Sequence, residues 1–186
     1  MARWERLFED LEAQVHADAS RELRAEVADR TRRERALVGL TGRLLGNLGR
    51  HVVVRTPAGL QAGLIREVGS DWLLLQPSAE RLVLIPTGVV RSVTGLRPGS
   101  HEPSLVSRSL GLGAALRALS RDRAAVEVID IDGHVLTGTL DAVGADHLEV
   151  AEHPVDEPRR SGNVRAVHLV PFDAVAAIAR AGASTH

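Results

Sequence analysis

The chain has no cysteine, no lysine and no tyrosine, and aromatic residues make up only 2% of its 186 positions. Without Cys it has no disulfide, no thiolate metal ligand and no cysteine nucleophile. With two Trp and two Phe, any core must be filled by Val, Leu, Ile and Ala, and aromatic platforms for nucleobases are scarce. The exclusive use of Arg among basic residues reflects GC-rich codons as much as physics. No apolar run approaches the ~18 residues of a membrane span, and no basic stretch followed by an apolar one opens the sequence. The expectation is therefore a cytoplasmic protein with no membrane partner.

Signatures of chemistry are equally sparse. The sequence has no Gly-rich phosphate loop, no Gly-x-Ser-x-Gly elbow and no His-Glu-x-x-His pair. Of the eight His, His134, His147 and His168 stand near Asp132 or Asp146, but strand alternation does not bring three of them to one point. Asp130 and Asp132 flank Gly133 and read as hairpin chemistry rather than an acid-base pair. No catalytic, cofactor-binding or metal-binding residue is assigned, and no cofactor is expected.

What the sequence does contain is an apparent duplication. Gly59, Gly63, Val68-Gly69, Asp71, Leu73 and Ile85-Pro86 recur as Gly133, Gly138, Val143-Gly144, Asp146, Leu148 and Val170-Pro171. The offset grows from 74 to 75 to 85 along the chain. Insertions confined to turns are what a β-unit carried twice would tolerate. Net charge is −1 overall, but it is 0 over residues 1–46, +3 over 47–109 and −4 over 110–186.

Residues 1–38 read as an N-terminal amphipathic helix or a helical hairpin bending near Asp18-Ala19-Ser20. Trp4, Leu7, Phe8, Leu11 and Val15 recur at three- and four-residue spacing among acids and form one apolar stripe. Such a stripe must pack on something, either inside the chain, on a barrel or on the helix's own partner face, or outside it, which makes these five residues candidates for contact with an unknown protein partner or for self-association. Arg30, Arg32, Arg33 and Arg35 follow as a basic cluster.

Five short strands are expected over residues 39–97, at Val52–Arg55, Leu60–Val68, Trp72–Gln76, Arg81–Ile85 and Val89–Val93, with Thr56-Pro57-Ala58-Gly59 as a tight reversal. Residues 98–109, rich in Pro, Gly and Ser, read as a linker. Five more strands are expected over 110–180, at Val126–Ile129, Val135–Val143, His147–Ala151, Arg165–Val170 and Ala174–Ile178, with 181–186 as a flexible tail. The fold class implied is mainly β with an N-terminal helical region: two tandem five-stranded small β-barrels of SH3/Sm-like type, each preceded by a short helix.

These residues resemble the small-barrel superfamily that includes Sm-like proteins and PRC-barrel domains. The Sm likeness rests on Gly133-x4-Gly138-Thr139-Leu140-Asp141-Ala142-Val143 with Leu148 following. The PRC-barrel likeness rests on Leu84-Ile85-Pro86…Val89-Val90…Val93 and on Leu169-Val170-Pro171…Val175…Ile178. Together they cover residues 40–96 and 110–179. An Sm-like RNA site would carry an Asn near the third strand and an Arg-Gly step near the fourth. This chain has Asp71-Trp72 and Asp146-His147 at the first place, and Pro86-Thr87-Gly88 and Pro171-Phe172-Asp173 at the second.

The function expected is a non-enzymatic interaction or assembly protein, with tandem barrels as scaffold and the helix as partner or dimer interface. The alternative is an Sm-like RNA-binding regulator using Arg30, Arg32, Arg33, Arg35, Arg159, Arg160 and Arg165. A small-molecule sensor is a third class to which no feature of the sequence points.

Overall fold

Strands form where apolar side chains alternate. In β1 (His51–Thr56) the buried residues are Val52, Val54 and Thr56, with His51, Val53 and Arg55 between them, the period-two signature of a half-buried strand. The computed structural model describes Leu23 and residues 26–30, 32–33, 36–155, 157 and 159–181. It divides into two compact units, residues 1–39 and 40–186. In the first, residues 26–30 and 32–33 are helical and exposed. The stripe from Trp4 to Val15 and Arg35 lie outside the described residues.

The second unit begins with α1 (Leu40–Leu45) and β1, followed by β2 (Gly59–Val68), β3 (Trp72–Ser78), β4 (Arg81–Pro86) and β5 (Ser92–Thr94). Two helices, α2 (Leu105–Ser109) and α3 (Leu112–Arg121), lead to β6 (Ala125–Asp130), β7 (Val135–Val143), β8 (His147–Glu152), β9 (Ala166–Pro171) and β10 (Val175–Arg180). Gly59 closes the β1–β2 turn at φ +96°, a conformation that L side chains adopt only with strain. β2 and β7 each carry a bulge, at Arg66 and Asp141, which bends these long strands.

The ten strands make one antiparallel sheet in the order β5-β1-β2-β3-β4-β10-β6-β7-β8-β9. This corrects the expectation of two tandem closed barrels. In neither run of five does the last strand bond to the fourth to close a cylinder. β4 takes β10 as its second neighbour, with Leu84 opposite Ile178 and Val83 opposite Ala179, and among the described residues β9 has only β8 beside it. The small-barrel and internal-repeat readings are corrected on the same ground: the two runs of strands are parts of one open sheet. Two expected strands also shift. Thr87–Val89 and Phe172–Ala174 are single 3-10 turns, entered from Pro86 and Pro171, so β5 and β10 start later than the Val89 and Ala174 expected.

Packing explains why the sheet runs on through its middle. One core gathers Leu44, Val52, Val54, Ile65, Leu73, Leu75, Val83 and Ile85, and a second gathers Trp72, Leu84, Leu112, Leu116, Val126, Val128, Leu140, Leu148 and Val150. β4 and β10 serve both. Val83, Ile85, Ala177 and Ala179 point to the first core, while Leu84, Val175 and Ile178 point to the second. A strand buried on both faces reads as a continuous apolar run, and Val175 to Ala179 is one, buried at every position.

Polar groups inside the unit are satisfied. Asn47, 1% exposed, donates to the carbonyls of Arg43 and Arg97 and accepts from the Arg97 amide at 2.8 Å. It thereby ties the end of α1 to the chain leaving β5. Further along that connection, the His101 amide reaches the Gly42 carbonyl at 3.0 Å, so part of the expected linker packs on α1. His153, 3% exposed, has Nδ1 at 2.8 Å from the Pro154 carbonyl. A carbonyl only accepts, so Nδ1 carries a proton and Nε2 lies 2.8 Å from the Thr139 hydroxyl.

Candidate functional site

Helix α3 has a narrow apolar stripe and a face of small residues. Leu112 and Leu116 are one turn apart and buried in the second core. Ala114, Ala115 and Ala118 occupy a neighbouring face, where short side chains leave space between helix and sheet. The result is a groove of about 410 Å³. Its floor is Trp72 and Leu74 of β3 with Leu82 and Leu84 of β4, and its far wall is Val126 of β6 with Ile178 and Ala179 of β10. Leu82 remains 42% exposed there.

The helix is set over this floor by the turn before β3. The α3 N-terminus begins at Gly111, which has no side chain to cap it. Asp71 supplies the missing acceptor, its Oδ1 taking the Leu112 amide at 2.7 Å, as a capping carboxylate does. Beside it, the Trp72 Nε1 donates to the Leu110 carbonyl at 2.9 Å, and so does the Ser70 amide at 3.2 Å. Trp72 is thus locked at one end of the groove, 4% exposed.

The rim is charged. Glu67 comes from β2, Glu80 from the β3–β4 hairpin and Asp122 from the end of α3, facing a single Arg180 from β10. All four are exposed, and none of their side chains has a hydrogen-bond or ion-pair partner among the described residues. No known protein family matches this chain, and no curated protein does. What the groove binds must be argued from its walls and its charge.

The residues singled out from sequence do not converge on this groove. Arg30, Arg32 and Arg33 lie in the first unit, exposed, with Arg32 hydrogen-bonded to Asp29. Arg159 is spent within the protein: Nε and Nη2 each donate to an oxygen of Asp141 at 2.5 Å. That fork holds the guanidinium even more firmly in its protonated form. Arg160 is exposed, and Arg165 approaches Glu152 at 4.0 Å.

Among the histidines, His147 Nδ1 lies 2.9 Å from Asp146 and His168 Nε2 lies 2.9 Å from Glu152. The His147 contact, a hydrogen bond first and an attraction of charge second, draws the Asp146 carboxyl below the usual carboxylate range. Among the described residues no three His, Asp or Glu are placed to hold a metal ion. Asp130 Oδ1 accepts the amides of Asp132 and His134 at 2.9 and 2.8 Å, which is turn chemistry.

Sequence reasoning passed over the groove because its residues come from β2, β3, β4, α3, β6 and β10. The usable signal was Ala114-Ala115 and Ala118 beside Leu112 and Leu116, a helix with more small face than its core contact needs.

A second feature is the sheet edge at β9. Val167 is 51% exposed and Leu169 is 65% exposed, and among the described residues β8 is the only strand that pairs with β9. The strand's single titratable residue, His168, is turned to Glu152 on β8. The opposite edge, β5, is only three residues long, which by itself discourages pairing.

Proposed function

We propose that this chain is a non-enzymatic assembly protein that joins a second copy of itself along β9. The observation that supports it is the six-residue apolar edge, with Val167 and Leu169 exposed and no Arg, Glu or interior Pro to guard it. An unguarded edge is a template for another strand, and antiparallel pairing of β9 with β9 of a second copy is isologous and stops at two. The amphipathic stripe of Trp4, Leu7, Phe8, Leu11 and Val15 is proposed, on its sequence, as a further contact with the same or another protein. Among the described residues no helix is long and apolar enough to cross a membrane, and the proposed setting is the cytoplasm.

Light scattering on the purified chain tests this. The expected mass is twice that of the chain, falling to the monomer in Leu169→Arg, whose exposed position leaves the fold intact. A wild-type protein that stays monomeric at the highest soluble concentration, or a Leu169→Arg dimer, overturns the proposal for β9. A double change Trp4→Ala with Phe8→Ala that leaves both mass and bound partners unaltered removes the helix from it.

A further inference from the structure

We propose that the groove under α3 binds a small amphipathic organic cation, an ammonium or similar group carried on an apolar body. This goes beyond the assembly reading and does not depend on it. The cavity of about 410 Å³ lies within the roughly 300–1,000 Å³ typical of small-ligand sites. Its interior suits the apolar body: Leu74, Leu82 and Leu84 form the floor and Ala118 leaves the space open above them.

The rim selects the sign of the head group. Glu67, Glu80 and Asp122 reach the groove from three different elements, so negative charge surrounds the opening and does not run along one face. Each carboxylate is exposed and without a partner among the described residues, and Arg180 is the only cation opposing them on the rim. Some surface acids elsewhere are engaged, since Asp141 holds Arg159, Glu127 holds Arg81 and Glu152 meets His168, whereas the three on the rim converge on one apolar cavity. Three acids against one Arg around an apolar basin attract a cation and repel an anion of the same shape. An apolar body then supplies most of the affinity as it leaves water.

The test uses the full chain carrying Trp4→Phe, which leaves Trp72 in the groove floor as its only indole. Its emission is followed while n-octylammonium chloride, and separately sodium octanoate, is added at low ionic strength. The expected result is a saturable change with octylammonium and at least about tenfold weaker binding of octanoate. Ala118→Phe, which fills the groove, abolishes the response. The triple variant Glu67→Gln, Glu80→Gln, Asp122→Asn alters only exposed side chains and brings the two ligands to within a few-fold of each other. No saturable response to octylammonium overturns the proposal, as does equal affinity for octanoate in the parent protein or unchanged binding in the triple variant. The mass of the same samples reads the β9 dimer separately, so either idea can fail alone.

Discussion

Two turns of this protein share a backbone and part company in what they hold. At residues 69–72 the Gly69 amide donates to the Trp72 carbonyl at 2.9 Å, and the Asp71 carbonyl accepts the Thr87 amide at 2.8 Å. At residues 144–147 the Gly144 amide donates to the His147 carbonyl at 2.9 Å, and the Asp146 carbonyl accepts the Phe172 amide at 2.8 Å. The first turn then grips α3 through Asp71 and Trp72 and frames the groove. The second faces water, with the Asp146 side chain 90% exposed and His147 35% exposed. Identical hydrogen bonding fixes the path of the chain; what stands outside the turn decides whether the same carboxylate becomes a helix cap or a surface charge.

The comparison is broken most sharply at the ring. Trp72→Ala empties a buried site and is expected to cost about 3–5 kcal/mol in denaturant unfolding, whereas His147→Ala should change stability by no more than about 0.5 kcal/mol. Next come the glycines. A Cβ at Gly69 would lie 2.2 Å from the Trp72 Nε1 and 2.6 Å from the Leu110 carbonyl oxygen, and neither can withdraw without breaking the bond between them. Gly69→Ala is therefore expected to cost about 1–3 kcal/mol. At Gly144 the nearest obstacle is the half-exposed His147 ring at 2.5 Å, which can swing into water, and Gly144→Ala should melt within a few degrees of the wild type.

The capping carboxylate gives a smaller effect. Asp71→Ala leaves the Leu112 amide without its acceptor and is expected to cost about 0.5–2 kcal/mol, with amide exchange speeding up first at the start of α3. Asp146 gives the smallest, visible as pH dependence. Its carboxyl titrates lower in the folded protein than in the unfolded chain, so its contribution is present above the unfolded value and is lost as pH falls through the folded one. Stability measured down the acid limb should fall slightly less steeply in Asp146→Asn, and added salt should erase the difference. A steeper fall in the variant would show that the His147 contact does not stabilise the fold.

These contrasts also mark what the sequence could show. The alternation of Val52, Val54 and Thr56, the turn at Gly59 and the reversal at Asp130 to Gly133 are local patterns, and the strands and turns stand where those patterns place them. The partner of β4 is not local. Leu84 and Ile178 are each apolar within an apolar run, and nothing in a run buried on both faces names its neighbour. That is why closed barrels were expected where one sheet exists. Asp71 and Asp146 sit in like sequence, and only the arrival of Gly111 beside one of them makes it a cap. The groove depended on six separate elements meeting, and its acids were scattered at positions 67, 80 and 122, where a count of charge by segment dilutes them.

The seam between β4 and β10 has a consequence in time. Leu84 and Ile178 are 94 positions apart, and β10 is made after every other strand of the sheet. Until Val175 to Arg180 has left the ribosome, the first core lacks Ala177 and Ala179 and the second lacks Val175 and Ile178. At 5–20 residues per second, the span from β4 to β10 takes roughly 5–20 s to synthesise, and throughout it the apolar flank of β4 has no strand beside it. A nascent chain arrested short of β10 should therefore be the species that chaperones hold, and emergence of Val175 to Arg180 should be the step that lets both cores close together.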